Sequence, residues 1–407
     1  MRLYLNDMLY AIAYALDTVE QEYREIELYH ADRVAYIAVQ MGKAHGLSNE
    51  SLLHLAAAAV LHDNAFTEYI NSGNELPSLN HRHISEGNSV TLNRAHCQMG
   101  ERNVSVLPFY PKIKNAVLYH HEHADGSGAF GKRAEETPFF AQLIQFADEL
   151  DNSFSLDKVD DEKYAAILAF LAKKKGSFFT EEIVRLFCAA FPHPMGGMLN
   201  SALIRQLLQC SLPHTLGEYS DDDIAGLATM FAHIIDYKSH FTCTHSLGIA
   251  QKAYILGNYL GENNENCTKL YLAGALHDVG KLTIPTEILE KPDRLTDQEF
   301  DIMKTHAVAS WNILRTIDGI DDVVKWACLH HEKLNGTGYP FGKRATELNQ
   351  YARILCCTDI YQALIEDRPY KEGISHKEAL AIMRDMVWHG LIDSQVTIAI
   401  DACFGKR

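Results

Sequence analysis

His330-His331-Glu332-Lys333-Leu334-Asn335-Gly336-Thr337-Gly338-Tyr339-Pro340 is the stretch from which the rest of the chain is read. Two adjacent histidines end an apolar run of Val323, Val324, Trp326, Ala327 and Leu329, and a glycine-rich loop opens at once. Histidines placed together at a helix end send two imidazoles into one small volume, and neutral imidazole is the commonest metal ligand. The glycines leave room for close backbone approach. The stretch gains its meaning from its company: His277-Asp278-Val279-Gly280-Lys281 lies upstream and Asp359 downstream.

Working outward, the chain repeats itself. With His30 set on His245, the next His-Asp pair falls 32 residues later in both copies, at His62-Asp63 and His277-Asp278. A single histidine follows, His96 or His306, and from it to the paired histidines is 24 residues in both copies. His120-His121-Glu122 then matches His330-His331-Glu332, and Asp125-Gly126-Ser127-Gly128 matches Asn335-Gly336-Thr337-Gly338. Gly131-Lys132-Arg133-Ala134 matches Gly342-Lys343-Arg344-Ala345 after a one-residue deletion, and Asp148 matches Asp359. Apolar residues recur at helical period nearly throughout, as in Val34 to Met41, Leu52 to Leu61, Ile224 to Ile235 and Leu247 to Leu260. Alternating Val/Ile/Thr-rich runs are scarce. The expected fold is all-α: two tandem helical modules at 1–191 and 217–407, joined by a Pro- and Gly-containing linker at 192–216.

A chain of 407 residues suffices for two ordinary domains with full cores. The net charge of −16, without a Lys/Arg-rich block, argues against duplex nucleic acid or an anionic membrane as partner. Nine scattered cysteines with no Cys-x-x-Cys pair read as free thiols of a reducing compartment. No run reaches the length of a membrane span and the N-terminus has no signal-peptide core, so the expectation is a cytoplasmic protein.

The second copy offers His245, His277, Asp278, His306, His330, His331 and Asp359. Five imidazoles and two carboxylates on separate helices can surround two metal ions, with a hydroxide between metals roughly 3.5–4 Å apart. Mixed N/O ligation suits Fe, Mn, Zn or Ni better than Mg or Ca. Lys281, one helical turn beyond His277, is a point charge for an anionic group beside the metals. Arg368 and Lys371, in Asp367-Arg368-Pro369-Tyr370-Lys371, are suited to gripping phosphate. Tyr339 either stacks on a base or caps its loop. Lys281, Arg368, Lys371, Tyr339 and Gly336 make up the expected substrate contacts, with Lys281 and Asp278 as catalytic residues.

These motifs resemble the HD-GYP family, a branch of the HD-domain metal-dependent phosphohydrolases, across nearly all of the second copy. The resemblance implies an all-α bundle that hydrolyses a cyclic dinucleotide, cyclic di-GMP or 3′,3′-cyclic GMP-AMP; the expected product is a linear dinucleotide, and a second cut would give mononucleotides. It implies two ions on the seven ligands, Fe or Mn first and Ni, Zn or Mg as alternatives, with Asp278 as bridge. A hydroxide held between the ions is the expected nucleophile. Asn335 stands where the family usually has Asp. Phe241, four residues before His245, stands where trinuclear members place a metal-binding Glu, so two metals are expected and not three.

The first copy keeps all seven ligand types in His30, His62, Asp63, His96, His120, His121 and Asp148. Phe66 replaces the lysine, Gly128-Ala129-Phe130 replaces Gly-Tyr-Pro, and Asp157 and Asp160 stand, by count, at the positions of Arg368 and Lys371. Carboxylates there repel a phosphodiester. The first copy is therefore expected to be catalytically weak, a second metal site or an empty relic, serving regulation or packing or as a homodimer surface. Two rival readings are a sensor or scaffold that binds a cyclic dinucleotide without cutting it, and a general HD nucleotide phosphohydrolase.

Overall fold

The computed structural model describes residues 1–23, 28–71, 86–238, 245–367 and 372–405. Helices dominate, and among the described residues the one sheet is the antiparallel pairing of Arg2–Leu3 with Gly217–Glu218. The fold is all-α, as expected. The chain divides into two compact units, Met8–Thr215 on one side and Met1–Asp7 with Leu216–Arg407 on the other. Among the described residues no helix is long and apolar enough to cross a membrane.

In the first unit the helix His30–His45 packs against the helices Asn49–Val60, Phe139–Phe154, Glu181–Ala190 and Ile204–Ser211. Its sequence explains the central place. Val34, Ala35, Ile37, Ala38, Val39 and Met41 are all fully buried, so the helix is apolar on more than one side and needs cover on each. The stretch 192–216 departs from the linker expectation. It contains the helix Ile204–Ser211, whose Ile204 and Leu208 are buried, and Arg205 reaches the buried Asp32 at 2.7 Å. Pro192, Pro194, Gly196, Gly197 and Pro213 flank this helix and mark its turns; they do not make the stretch an open joiner.

In the second unit the corresponding helix, His245–Tyr259, packs against Asp221–Asp236, Asn264–Leu276, Gln350–Ile365 and Ser394–Phe404. Side chains fix where the neighbouring helices begin. Ser220, Thr296 and Ser375 each accept the N–H three residues on, and Asp223, Glu299 and Glu378 return a bond to the cap's own N–H. Each cap of this kind contributes about 1 kcal/mol. Asn264–Leu276 ends at His277, and Asp321–Cys328 ends two residues before His330. His306 and Asp359 lie inside the helices Asp297–Leu314 and Gln350–Ile365.

Candidate metal centre

The second unit brings its seven candidate ligands together in two adjoining groups. Asp278, His306, His330 and His331 form one, and His245, His277 and Asp359 the other; within each group the ligand atoms lie within 4.8 Å of one another. Asp278 touches both groups. Its Oδ2 is 3.0 Å from His277 Nε2, and its Oδ1 is 3.4 Å from His306 Nε2 and 3.8 Å from His330 Nε2. Asp359 faces His245 Nε2 at 3.6 Å and His331 Nδ1 at 3.8 Å.

Backbone carbonyls set the direction of three imidazoles. The Nδ1–H groups of His277, His306 and His330 donate to the carbonyls of Gly274, Met303 and Ala327 at 2.7, 2.7 and 2.6 Å. Each residue thereby turns an Nε2 lone pair inward. These three Nε2 atoms and Asp278 Oδ1 are buried with no hydrogen bond. Orphaned buried polar atoms are costly unless something pairs with them, and a cation is the partner that four converging acceptors fit. Protonation agrees. Burial works to raise the Asp278 carboxyl, but His277 and Lys281 hold it well below the usual carboxylate range. Burial pushes His331 down to about 3 and lowers His306 and His330 as well. Ionised carboxylates beside neutral imidazoles are the forms that bind metal. At His245 burial pulls downward, but the carboxylates of Asp359 and Glu366 lift it to about 9.

Lys281 differs in detail from the expectation. The α-helix stops at Leu276, and Lys281 sits on a short 3-10 helix, Val279–Thr283. The tighter turn brings its Nζ to Asp278 Oδ2 at 2.5 Å. Tyr339 lays its ring against His331, centroids 4.6 Å apart, and 6.4 Å from His306. Gly336 has φ +84° in a turn whose N–H bonds the Lys333 carbonyl at 2.8 Å, a geometry that suits glycine. Asn335 fills the place of Asp by accepting from the Thr337 N–H and hydroxyl at 3.0 and 2.7 Å. Arg368, Lys371 and Phe241 lie outside the described residues.

Three structural roles were not read from the sequence. The buried Glu332 accepts from the N–H groups of Phe341 and Lys343 at 2.7 and 2.8 Å, closing the glycine-rich loop. The buried Ser310 hydroxyl accepts from Gly280 N–H and donates to the His277 carbonyl. A Cβ on Gly280 would fall on the carbonyl oxygen of His306, so the His-Asp turn and the His306 helix approach as only glycine allows. Gly280→Ala is therefore expected to cost about 1–3 kcal/mol, a Tm drop of roughly 3–10 °C by calorimetry. An unchanged Tm would contradict the close approach. Thirdly, Glu366 Oε2 accepts the Nδ1–H of His245 at 2.7 Å.

The first unit gathers its seven in the same plan. His30 Nε2 is 3.2 Å from Asp148 Oδ1, His96 and His120 Nε2 are 3.3 and 3.4 Å from Asp63 Oδ1, and His121 Nδ1 is 4.0 Å from Asp148. The Nε2 atoms of His30 and His62 are buried without a hydrogen bond. Cys97, missed in the sequence, stands 3.6 Å from His120 Nδ1 and 3.7 Å from His96 Nε2. Phe66 is fully buried at the lysine's position.

Two alignments shift. Ala129 N–H bonds the His121 carbonyl as Tyr339 N–H bonds that of His331, so Ala129 takes the tyrosine's place and Pro340 has no counterpart. Asp160 caps the helix Asp161–Lys174, as Ser375 caps His376–Trp388. Its counterpart is thus Ser375 and not Lys371: the second copy has four extra residues there, which counting from the aspartate does not reveal.

The HD domain family profile matches residues 18–177 and 229–396. The chain is 28% identical to 3′3′-cGAMP-specific phosphodiesterase 1 of Vibrio cholerae serotype O1, over 96% of this chain and 90% of that protein. It is 36% identical to a cyclic di-GMP phosphodiesterase of Pseudomonas aeruginosa, over 38% of this chain and 37% of that one. A crystal structure of a cyclic GMP-AMP specific phosphodiesterase of V. cholerae shares the fold, with a TM-score of 0.67 at 22% identity, covering 100% of this chain and 99% of that one. Both His-Asp pairs, with the histidines that close on them, lie inside the matched stretches, and the chain belongs to the HD domain family, whose domain it carries twice.

Proposed function

We propose that the second unit is a metal-dependent phosphodiesterase that opens a cyclic dinucleotide, 3′,3′-cyclic GMP-AMP or cyclic di-GMP. The observation that carries the reading is the set of buried, unpartnered Nε2 atoms of His277, His306 and His330 facing Asp278, with Lys281 at its edge. Asp278, His306, His330 and His331 would hold one divalent ion and His245, His277 and Asp359 a second, Fe or Mn first. Ions there would supply Lewis-acid charge and a nucleophile generated from water. The chain's own part is to position and to neutralise. Lys281 keeps a fixed cation beside the reacting phosphate, and Tyr339 walls the site over His331. Arg368 and Lys371, proposed on sequence alone, add positive charge along the substrate backbone. Water's oxygen joins phosphorus, the 3′ oxygen leaves and takes up a proton, and the ring opens to a linear dinucleotide. A second cut gives mononucleotides.

The test is direct. The protein is loaded with Fe or Mn without oxygen and incubated with each cyclic dinucleotide, and the products are identified. Binding of either ligand with no cleavage would favour the sensor reading instead; cleavage of ordinary nucleotides alone would favour the general phosphohydrolase.

The first unit is read as a metal-holding module that does not cut. Its His30 and His62 Nε2 atoms are buried, make no hydrogen bond and face the Asp148 carboxylate, whereas Phe66 replaces the cation and Ala129 the aromatic wall. Elemental analysis of the loaded protein is expected to find about four ions per chain, two per centre. About two would mean that the first centre is empty.

A further inference from the structure

We propose that Glu366 is a positioning residue for the second centre: it holds the Nδ1–H of His245 so that Nε2 faces Asp359, taking over, one helical turn along, the task of Asp151 in the first unit. The inference rests on the metal-centre reading above. In the first unit His30 Nδ1–H donates to Asp151 Oδ2 at 2.7 Å, and Asp151 lies three residues past Asp148. Arg33, three residues past His30, donates its Nε to both Asp151 oxygens at 2.7 and 2.9 Å. The same two offsets in the second unit give Gln362 and Gly248, which carry no charge.

The charges have moved together. Glu366 is seven residues past Asp359 and Lys252 seven past His245, a shift of four residues, one turn, on both helices. Gln362 joins the moved pair: its Nε2 donates to Glu366 Oε1 at 3.1 Å, and its Oε1 accepts from Lys252 Nζ at 2.7 Å. The amide lies over Gly248, where a Cβ would come within 2.8–3.1 Å of it. So the second unit keeps a carboxylate behind the metal-facing imidazole and a cation behind the carboxylate, but routes them through a neutral amide. A carboxylate in this place fixes the ring's tautomer and orientation.

The experiment uses the full chain, stripped of metal and titrated with Co(II) alone, with affinity read by chelator competition and geometry by the visible spectrum. Glu366→Ala is expected to weaken the second centre's affinity roughly 10–100-fold and to alter its cobalt spectrum. Glu366→Gln, which keeps the length but not the charge, falls between. Gln362→Asp placed in the Glu366→Ala background returns the carboxylate to the first unit's position and recovers part of the lost affinity. Wild-type affinity and spectrum in Glu366→Ala overturn the proposal, and so does a double variant no better than the single one. His245→Ala separates the two readings. If it too leaves cobalt binding unchanged, the metal centre itself is misread; if it weakens binding while Glu366→Ala does not, only the positioning role fails.

Discussion

Asp278→Ala is expected to remove metal from the second unit and to lower turnover by about 10³-fold or more. Asp278 reaches both ligand groups, with Oδ2 at His277 and Oδ1 at His306 and His330. Its loss would take away negative charge that bound cations need and would leave the buried imidazoles of His277, His306 and His330 without the carboxylate they face. Metal-ion stabilisation of a phosphoryl transition state amounts to several kcal/mol, and about 4 kcal/mol corresponds to roughly 10³ in rate. Elemental analysis and a turnover assay on the same preparation check both parts, with circular dichroism to confirm the helical fold. A variant that keeps its metals and its rate would remove Asp278 from the centre.

Lys281→Ala is expected to separate metal from chemistry. Lys281 is no candidate ligand, since its charge sits against Asp278 Oδ2 and its side chain is about a quarter exposed at the edge of the site. Metal content should stay at the wild-type level while kcat falls about 10²–10³-fold, the usual consequence of removing one preorganised group from a developing anion. Lys281→Arg should recover only part of the loss, because a planar fork does not replace a compact point charge. Undiminished turnover with metals bound would exclude the lysine from the reaction and would weaken the proposal that Phe66 leaves the first unit unable to cut.

Much of this centre is legible in the chain because ligand chemistry demands particular residue types, and two copies supply an internal ruler. The equal spacings inside each copy, 32 residues from His30 to His62 and from His245 to His277, and 24 from His96 to His120 and from His306 to His330, set in register the two ligand series that the structure gathers. What stays illegible is what a ruler measured from one point distorts. Asp160 looks like a replaced cation until the cap on Lys163 N–H shows it to be a helix start. Glu366 is hidden because its counterpart sits one turn away, and a search for carboxylates at matched offsets passes over it. Glu332 was seen, but as part of a histidine motif; that it clamps two backbone N–H groups depends on how the loop folds back, which residue type alone does not state. The stretch 192–216 misleads for a simpler reason: prolines and glycines bracket a short amphipathic helix as readily as they loosen a tether.

The pairing of Arg2–Leu3 with Gly217–Glu218 has a bearing on how this polypeptide is assembled and dissected. Met1 and Tyr219 exchange backbone hydrogen bonds as well, the Met1 amino group donating at 2.7 Å and the Tyr219 N–H at 2.8 Å. In the order of the chain, the unit Met8–Thr215 is inserted between the two pieces of the other, Met1–Asp7 and Leu216–Arg407. During translation the enclosing bundle arrives in two instalments, and its opening ribbon waits until everything nested has been synthesised. An excised fragment that starts at residue 217 would be born without that ribbon, so a faithful single-bundle version has to graft the first seven residues back on.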